Sequence, residues 1–262
     1  NNAVVNVVND GILMGATWAL RASNNASITL VNNKNGVLKS FEPLISAYAS
    51  SRINLTNNGG QLLVLLGINS DNNATVAVNN LNGGVIRVER GNILAMANEN
   101  SKLDITNSSE IIGNTSSYDF EPPNWESFGA DAMGSSQLSI TNQQGGVIHE
   151  MQYAINAMEN SQATLQNSGT IITSDAGVQS ADNASLIINN SAGALLGGQY
   201  YGVKASGSGH TTIHNSGEIT GNIGGALSIT DTDFILENSG TIRTGGLPTT
   251  SRAFSPLALA NT

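Results

Sequence analysis

The octapeptide LQNSGTII at 165–172 returns as IHNSGEIT at 213–220 and as LENSGTIR at 236–243. Aligned on its Asn, the chain shows one register from end to end: Asn9, Asn32, Asn57, Asn80, Asn107, Asn142, Asn167, Asn190, Asn215 and Asn238 each close a short alternating run. The steps between them are 23, 25, 23, 27, 35, 25, 23, 25 and 23 residues. A period in this range, with one structural unit per repeat, defines a solenoid. The repeats make residues 1–246 one domain.

Before each Asn, apolar residues recur two and four positions upstream, as in Ile28 and Leu30, Val76 and Val78, Leu138 and Ile140, or Leu186 and Ile188. A period of two means a strand with those residues facing inward. A second apolar run follows the Asn, as in Val85 and Ile86 or Ile171 and Ile172, and a third fills the repeat, as in WALRAS at 18–23 or YGVKASGSG at 201–209. No repeat carries a helical period or the four strands of a propeller blade. The expected fold is therefore all-β, a right-handed parallel β-helix with three short strands per coil and about ten coils, its hand following the parallel crossover preference. Rungs about 4.8 Å apart give a rod on the order of 43 Å long. Only 11% of the chain is charged, against roughly a quarter in ordinary domains. With 39% hydrophobic residues in a regular pattern, the chain is folded, not low-complexity disorder.

The recurring Asn shares parity with the inward residue two before it, so it points inward where the chain turns. Stacked amides donate to one rung and accept from the other, which predicts a polar ladder inside a corner. Asn also tolerates the left-handed backbone that such a corner demands in some turns.

Departures from the repeat are where a solenoid carries specific function. The 35-residue step holds an insertion at about 115–129, with Tyr118, Asp119, Phe120, Glu121, Trp125, Glu126 and Phe128 crowded beside Pro122 and Pro123. Prolines cannot join a central ladder, so the segment is expected to bulge from the rod. It is either a recognition loop, since Trp and Tyr anchor partners, or a local apolar cover. Phe41, Pro43 and Tyr48 mark a smaller irregularity at 39–48. A second candidate surface is the outward side of the strand before each Asn, where Thr29, Asn54, Thr56, Asp104, Thr106, Thr141, Thr164, Gln166, Asn189 and Thr212 form a polar stripe. It reads as a self-association face or as an ordinary solvated β-face.

Catalytic readings find little support, and no catalytic, cofactor or metal set is expected. No Gly-Asp-Ser-Gly or Gly-x-Ser-x-Gly setting is present. His210 and His214 lie about 13 Å apart by strand rise, too far to share a metal. The Asp231-Thr232-Asp233 turn is the nearest approach to the acid cluster of a carbohydrate-cleaving site or a calcium site. Nineteen acids against ten bases argue against nucleic acid and polyanionic partners, Arg87 and Arg90 being only a local patch.

Tandem coils ending in NSGTI, at Asn167–Ile171 and Asn238–Ile242, with Asn-Asn variants at Asn57 and Asn190, resemble the passenger domains of Gram-negative autotransporter adhesins. The resemblance covers nearly the whole chain. It implies export through the periplasm, display at the outer membrane's extracellular side, and adhesion, aggregation or biofilm formation. The implied partners are a host-surface or matrix protein or glycan, or another copy of the chain, with membrane attachment through a downstream β-barrel. The absence of Cys fits a rod that relies on its ladders and core. The competing functions are a β-helical polysaccharide hydrolase or lyase, and a spacer carrying another domain. Residues 247–262, with Pro248 and Pro256, form a cap or a linker.

Overall fold

A computed structural model describes residues 2–89, 93–113 and 127–247. The chain winds as a parallel β-helix whose first coil is Val4–Asn9, Ile12–Gly15 and Leu20–Ala22. Stacked coils build three sheets. Sheet A contains ten strands ending with Asp233–Asn238, sheet B ten ending with Thr241–Thr244, and sheet C nine ending with Gly225–Thr230. The described residues thus make nine complete turns and two strands of a tenth.

Register follows the sequence alignment on Asn without slippage. Leu30, Leu55, Val78, Ile105, Ile140, Leu165, Ile188 and Ile213 stand in one inward column of sheet A, each essentially inaccessible. Leu38, Leu62, Ile86, Ile111, Ile148 and Ile171 do the same in sheet B. Because side chains alternate, any one-residue slip would turn a whole rung's apolar set outward.

The corner between sheets A and B is the Asn ladder. Each Asn donates from Nδ2 to Oδ1 of the Asn one coil later, at 2.7 to 2.9 Å along all nine steps. The second amide hydrogen goes to nearby carbonyls, as from Asn32 to Gly36 at 3.1 Å and from Asn167 to Leu195 at 3.0 Å. The eight interior members are buried, and the ladder is satisfied without water. The Gly of Asn-Ser-Gly also has a steric cause: a Cβ on Gly169 would stand 2.7 Å from Nδ2 of Asn142, one coil earlier.

Left-handed backbone occurs at this corner, at Asn82 with φ 54° and at Gly59, Gly83, Gly145 and Gly193, though not at the ladder residues themselves. The left-handed pairs Asn24 and Asn25, Ala49 and Ser50, Asn72 and Asn73, and Glu99 and Asn100 all lie between sheet C and sheet A. At that corner buried serines tie the turn. Ser101 Oγ accepts from the Asn98 amide at 2.9 Å and donates to the Ser70 carbonyl at 2.7 Å. Ser51 and Ser136 repeat the device. Ser161 occupies the same place but its Oγ has no partner.

Two boundaries differ from expectation. Phe128 opens the sheet C strand Phe128–Ala132 and so belongs to a rung, not to the inserted loop. The segment 39–48 likewise holds parts of two regular strands, Val37–Ser40 and Ile45–Ala47, because its apolar residues keep the inward parity. Leu247 folds back beside Gly197, buried, and exchanges hydrogen bonds with Asn222. Residues 248–262 lie outside the described residues.

Candidate functional site

Sheet A presents outward the polar stripe read from the sequence. Parallel register aligns it in two columns: Thr29, Asn54, Asp104, Thr164 and Thr212 fall in one, and Thr56, Thr106, Thr141, Gln166 and Asn189 in the other. Nearly all are half-buried by their neighbours, with Thr29 and Gln166 exposed. Within the described residues Asp104 takes an ion pair from Lys102 at 2.8 Å and Thr212 Oγ1 bonds His210 Nε2 at 2.9 Å. The other eight side chains carry no hydrogen bond to the protein, so their donors and acceptors face outward. Lys102, Asp104, Gln137, Ser139, Gln162 and Thr164 outline a shallow depression of about 240 Å³ on this face.

Of the aromatic loop, Tyr118, Asp119, Phe120, Glu121, Trp125 and Glu126 lie outside the described residues. Phe128 alone is described, half-buried, with its ring 5.9 Å from that of Tyr153.

That ring pair leads to a feature the sequence reading did not single out. On the side of sheet C away from the core a column runs Arg21, Ser46, Asn69, Met96, Asp131, Asn156, Gln179, Lys204 and Ser228 in register, within which Ser46, Asp131 and Asn156 are buried. Asp131 is only 8% exposed. Its Oδ1 accepts from the Tyr153 hydroxyl at 2.9 Å and from Asn156 Nδ2 at 3.3 Å, and its Oδ2 has no partner among the described residues. Burial pushes the carboxyl up to about 6, with the two hydrogen bonds offsetting only part of the effect. Tyr153 moves upward too, first through burial and then through the neighbouring carboxylate.

Aromatic residues gather along this side. Trp18, Phe41, Tyr48, Phe128, Tyr153, Tyr200 and Tyr201 all lie between the end of a sheet B strand and the turn after sheet C, while Phe234 is the one described aromatic elsewhere. The Arg21 guanidinium stands 4.2 Å from the Trp18 ring centre and 5.8 Å from that of Tyr48. Lys204 Nζ lies 5.9 Å from the Tyr201 ring. The signal was present in the sequence: mapped on the Asn register, the aromatics fall in one third of the repeat.

The histidines pair separately with acids rather than with one another. His210 lies 3.0 Å from Asp233, His214 lies 2.8 Å from Glu237, and His149 lies 2.9 Å from Glu110. Asp231 sits at a left-handed turn. Among the described residues no three His, Asp or Glu side chains are grouped to hold a metal.

The fold and its faces define a parallel β-solenoid with two chemically distinct outer surfaces. Comparison with protein-family models, with curated proteins and with solved structures found no match.

Proposed function

We propose that this chain is an adhesive module displayed on the surface of a Gram-negative bacterium, promoting aggregation by contact between sheet A faces of neighbouring copies. The observation that carries the reading is the in-register sheet A face, on which eight polar side chains without a hydrogen-bond partner among the described residues stand in two columns on a rigid support, interrupted by Val31, Ala77 and Ile187. One hydrogen bond contributes only about 0.5–1.5 kcal/mol net, but periodic faces meet through many at once, and copies on a cell surface multiply the effect. Each Thr, Asn or Gln offers both donor and acceptor capacity, so the face is complementary to itself. A host or matrix ligand on the same face is the competing adhesive mode.

The test is settling of bacteria that display the chain, alone and mixed with cells that lack it. Clumping confined to displaying cells is expected. The triple variant Thr164→Glu, Gln166→Glu, Asn189→Glu places like charges on both partners and should abolish clumping with the β-sheet circular dichroism unchanged. Normal clumping by that folded variant would sink the reading.

A further inference from the structure

Sheet B carries the remaining outer face, and we infer that it pairs two copies of this chain side by side, their rods antiparallel about a two-fold axis at Ile112. The pairing goes beyond the aggregation reading and uses a face that contact through sheet A leaves free.

The outward positions of sheet B fall in two columns, in register from the second coil to the eighth. In the first column Val37, Val85, Val147 and Leu195 alternate with Gln61, Glu110 and Thr170. In the second, Leu63, Ile112 and Ile172 alternate with Lys39, Arg87 and His149. Each of these rungs therefore carries one outward aliphatic side chain, and it changes column at every step, which makes a continuous zigzag. All of these aliphatic residues are half-buried and none is buried. Gly197, next in the second column, is buried where Leu247 packs on it, so one aliphatic side chain of the chain itself already settles on this face.

The zigzag is symmetric about Ile112. Counted in rungs either way, Val85 answers to Val147, Leu63 to Ile172 and Val37 to Leu195, each pair within one column. A two-fold axis along the Ile112 strand keeps the columns and reverses the rungs, so it lays aliphatic on aliphatic throughout and Ile112 on its own copy. Such a contact is isologous and closes at two. A two-fold axis along the rods would instead exchange the columns and set Val85 against Arg87 and Ile112 against Glu110. Charge agrees with the antiparallel pair. Glu110 meets its copy at the centre, and Arg87 and His149 of both chains flank it one rung away, with His149 already 2.9 Å from Glu110 within each chain. The stripe is about 29 Å long and about 13 Å wide, and stacked sheets approach to about 10 Å. A patch of that size buries on the order of 1,000 Å² over both copies, the lower bound for a specific contact, so dissociation in the micromolar range is expected.

Sedimentation equilibrium of the full chain, from micromolar to near-millimolar concentration, should report monomer and dimer. Ile112→Asp sets two carboxylates against each other on the axis and should weaken pairing by about a hundredfold or more with circular dichroism unchanged. The chain has no Cys, so single replacements report the geometry. Ile112→Cys should join to its own copy through a short bis-maleimide, and Val37→Cys should join Leu195→Cys in a mixture but not itself. A monomer throughout the range, an unchanged dimer in the folded Ile112→Asp variant, or Val37→Cys joining itself as readily as Ile112→Cys each overturns the inference. The sheet A triple variant should dimerise like the parent protein. Loss of clumping with the dimer intact, or the reverse, separates this inference from the aggregation reading.

Discussion

Sheets A and C ride on the same coils with the same spacing and both carry short polar residues, yet the described aromatics other than Phe234 gather on the sheet C side. Sheet A repeats short polar groups over much of its length, interrupted by Val31, Ala77 and the exposed Ile187 and Ile235. Sheet C changes at every rung, from Arg21 beside Trp18 to Met96, to the buried Asp131, to Lys204 beside Tyr201. The difference shows where a solenoid is constrained. Core columns and corner ladders hold the register, and once they do, each outer face is free to specialise.

The comparison breaks first at the ladder, if the ladder is not what holds the sheet A side. Asn142→Ala would remove the 2.9 Å partner of Asn107 Nδ2 and of Asn167 Oδ1, while Asn107 keeps the Ser109 carbonyl at 3.1 Å and Asn167 the Gly169 amide at 3.3 Å. At about 0.5–1.5 kcal/mol for each bond given up, urea unfolding should report a loss of about 1–3 kcal/mol. Thr141→Ala, on the outer face one residue away, should stay within about 0.5 kcal/mol of the parent. Equal losses would mean that the outward stripe, not the inward Asn, supports this side of the rod.

A comparable effect is expected at the variable face. Asp131 has its carboxyl raised from an ordinary 3.8 to about 6, so between those values the folded protein binds more protons than the unfolded chain. Its contribution is then favourable in acid and is lost as pH rises through the folded value, on the order of 3 kcal/mol in all. Asp131→Asn keeps the acceptor for Tyr153 without the charge. The variant should be more stable than the parent at pH 7, and the difference should vanish below about pH 4. Denaturant titrations at both pH values decide it, and a constant difference would show that burial of the charge is not the cause.

How much of this was legible in the sequence depends on what repeats. Strands, register and the Asn ladder could be read because Asn57 or Asn190 recurs with inward Leu or Ile at fixed offsets, so each repeat confirmed the others. The polar stripe was legible for the same reason. The left-handed turns were legible only in part: Asn82 and several glycines take that backbone at the ladder corner, but the left-handed pairs Asn24 and Asn25 or Asn72 and Asn73 lie at the turn from sheet C to sheet A, and composition does not separate an amide chosen for hydrogen bonding from one chosen for φ. The Asp131 cluster was not legible at all. Tyr153 and Asn156 lie on the next coil, and Tyr153 precedes its strand, Ile155–Ala157, so no fixed offset announces that its hydroxyl reaches Asp131.

The smallest expected effect lies where the two sheets meet. Ser101 and Ser161 occupy equivalent buried places at the turn from sheet C to sheet A, but only Ser101 Oγ is bonded, accepting at 2.9 Å and donating at 2.7 Å. Ser101→Ala gives up both bonds, while the Asn98 amide still reaches the Ser70 carbonyl at 3.0 Å, a loss of about 1 kcal/mol. Ser161→Ala removes a buried hydroxyl that bonds nothing, so it should be neutral or slightly stabilising. Parallel unfolding curves for the two variants measure whether this corner is a repeating device like the ladder or one in which individual rungs go their own way. If both lose equally, Ser161 is bonded in solution and the corner is as uniform as the ladder; if only Ser101 does, the rung-by-rung variation of sheet C extends into the turn that leads out of it.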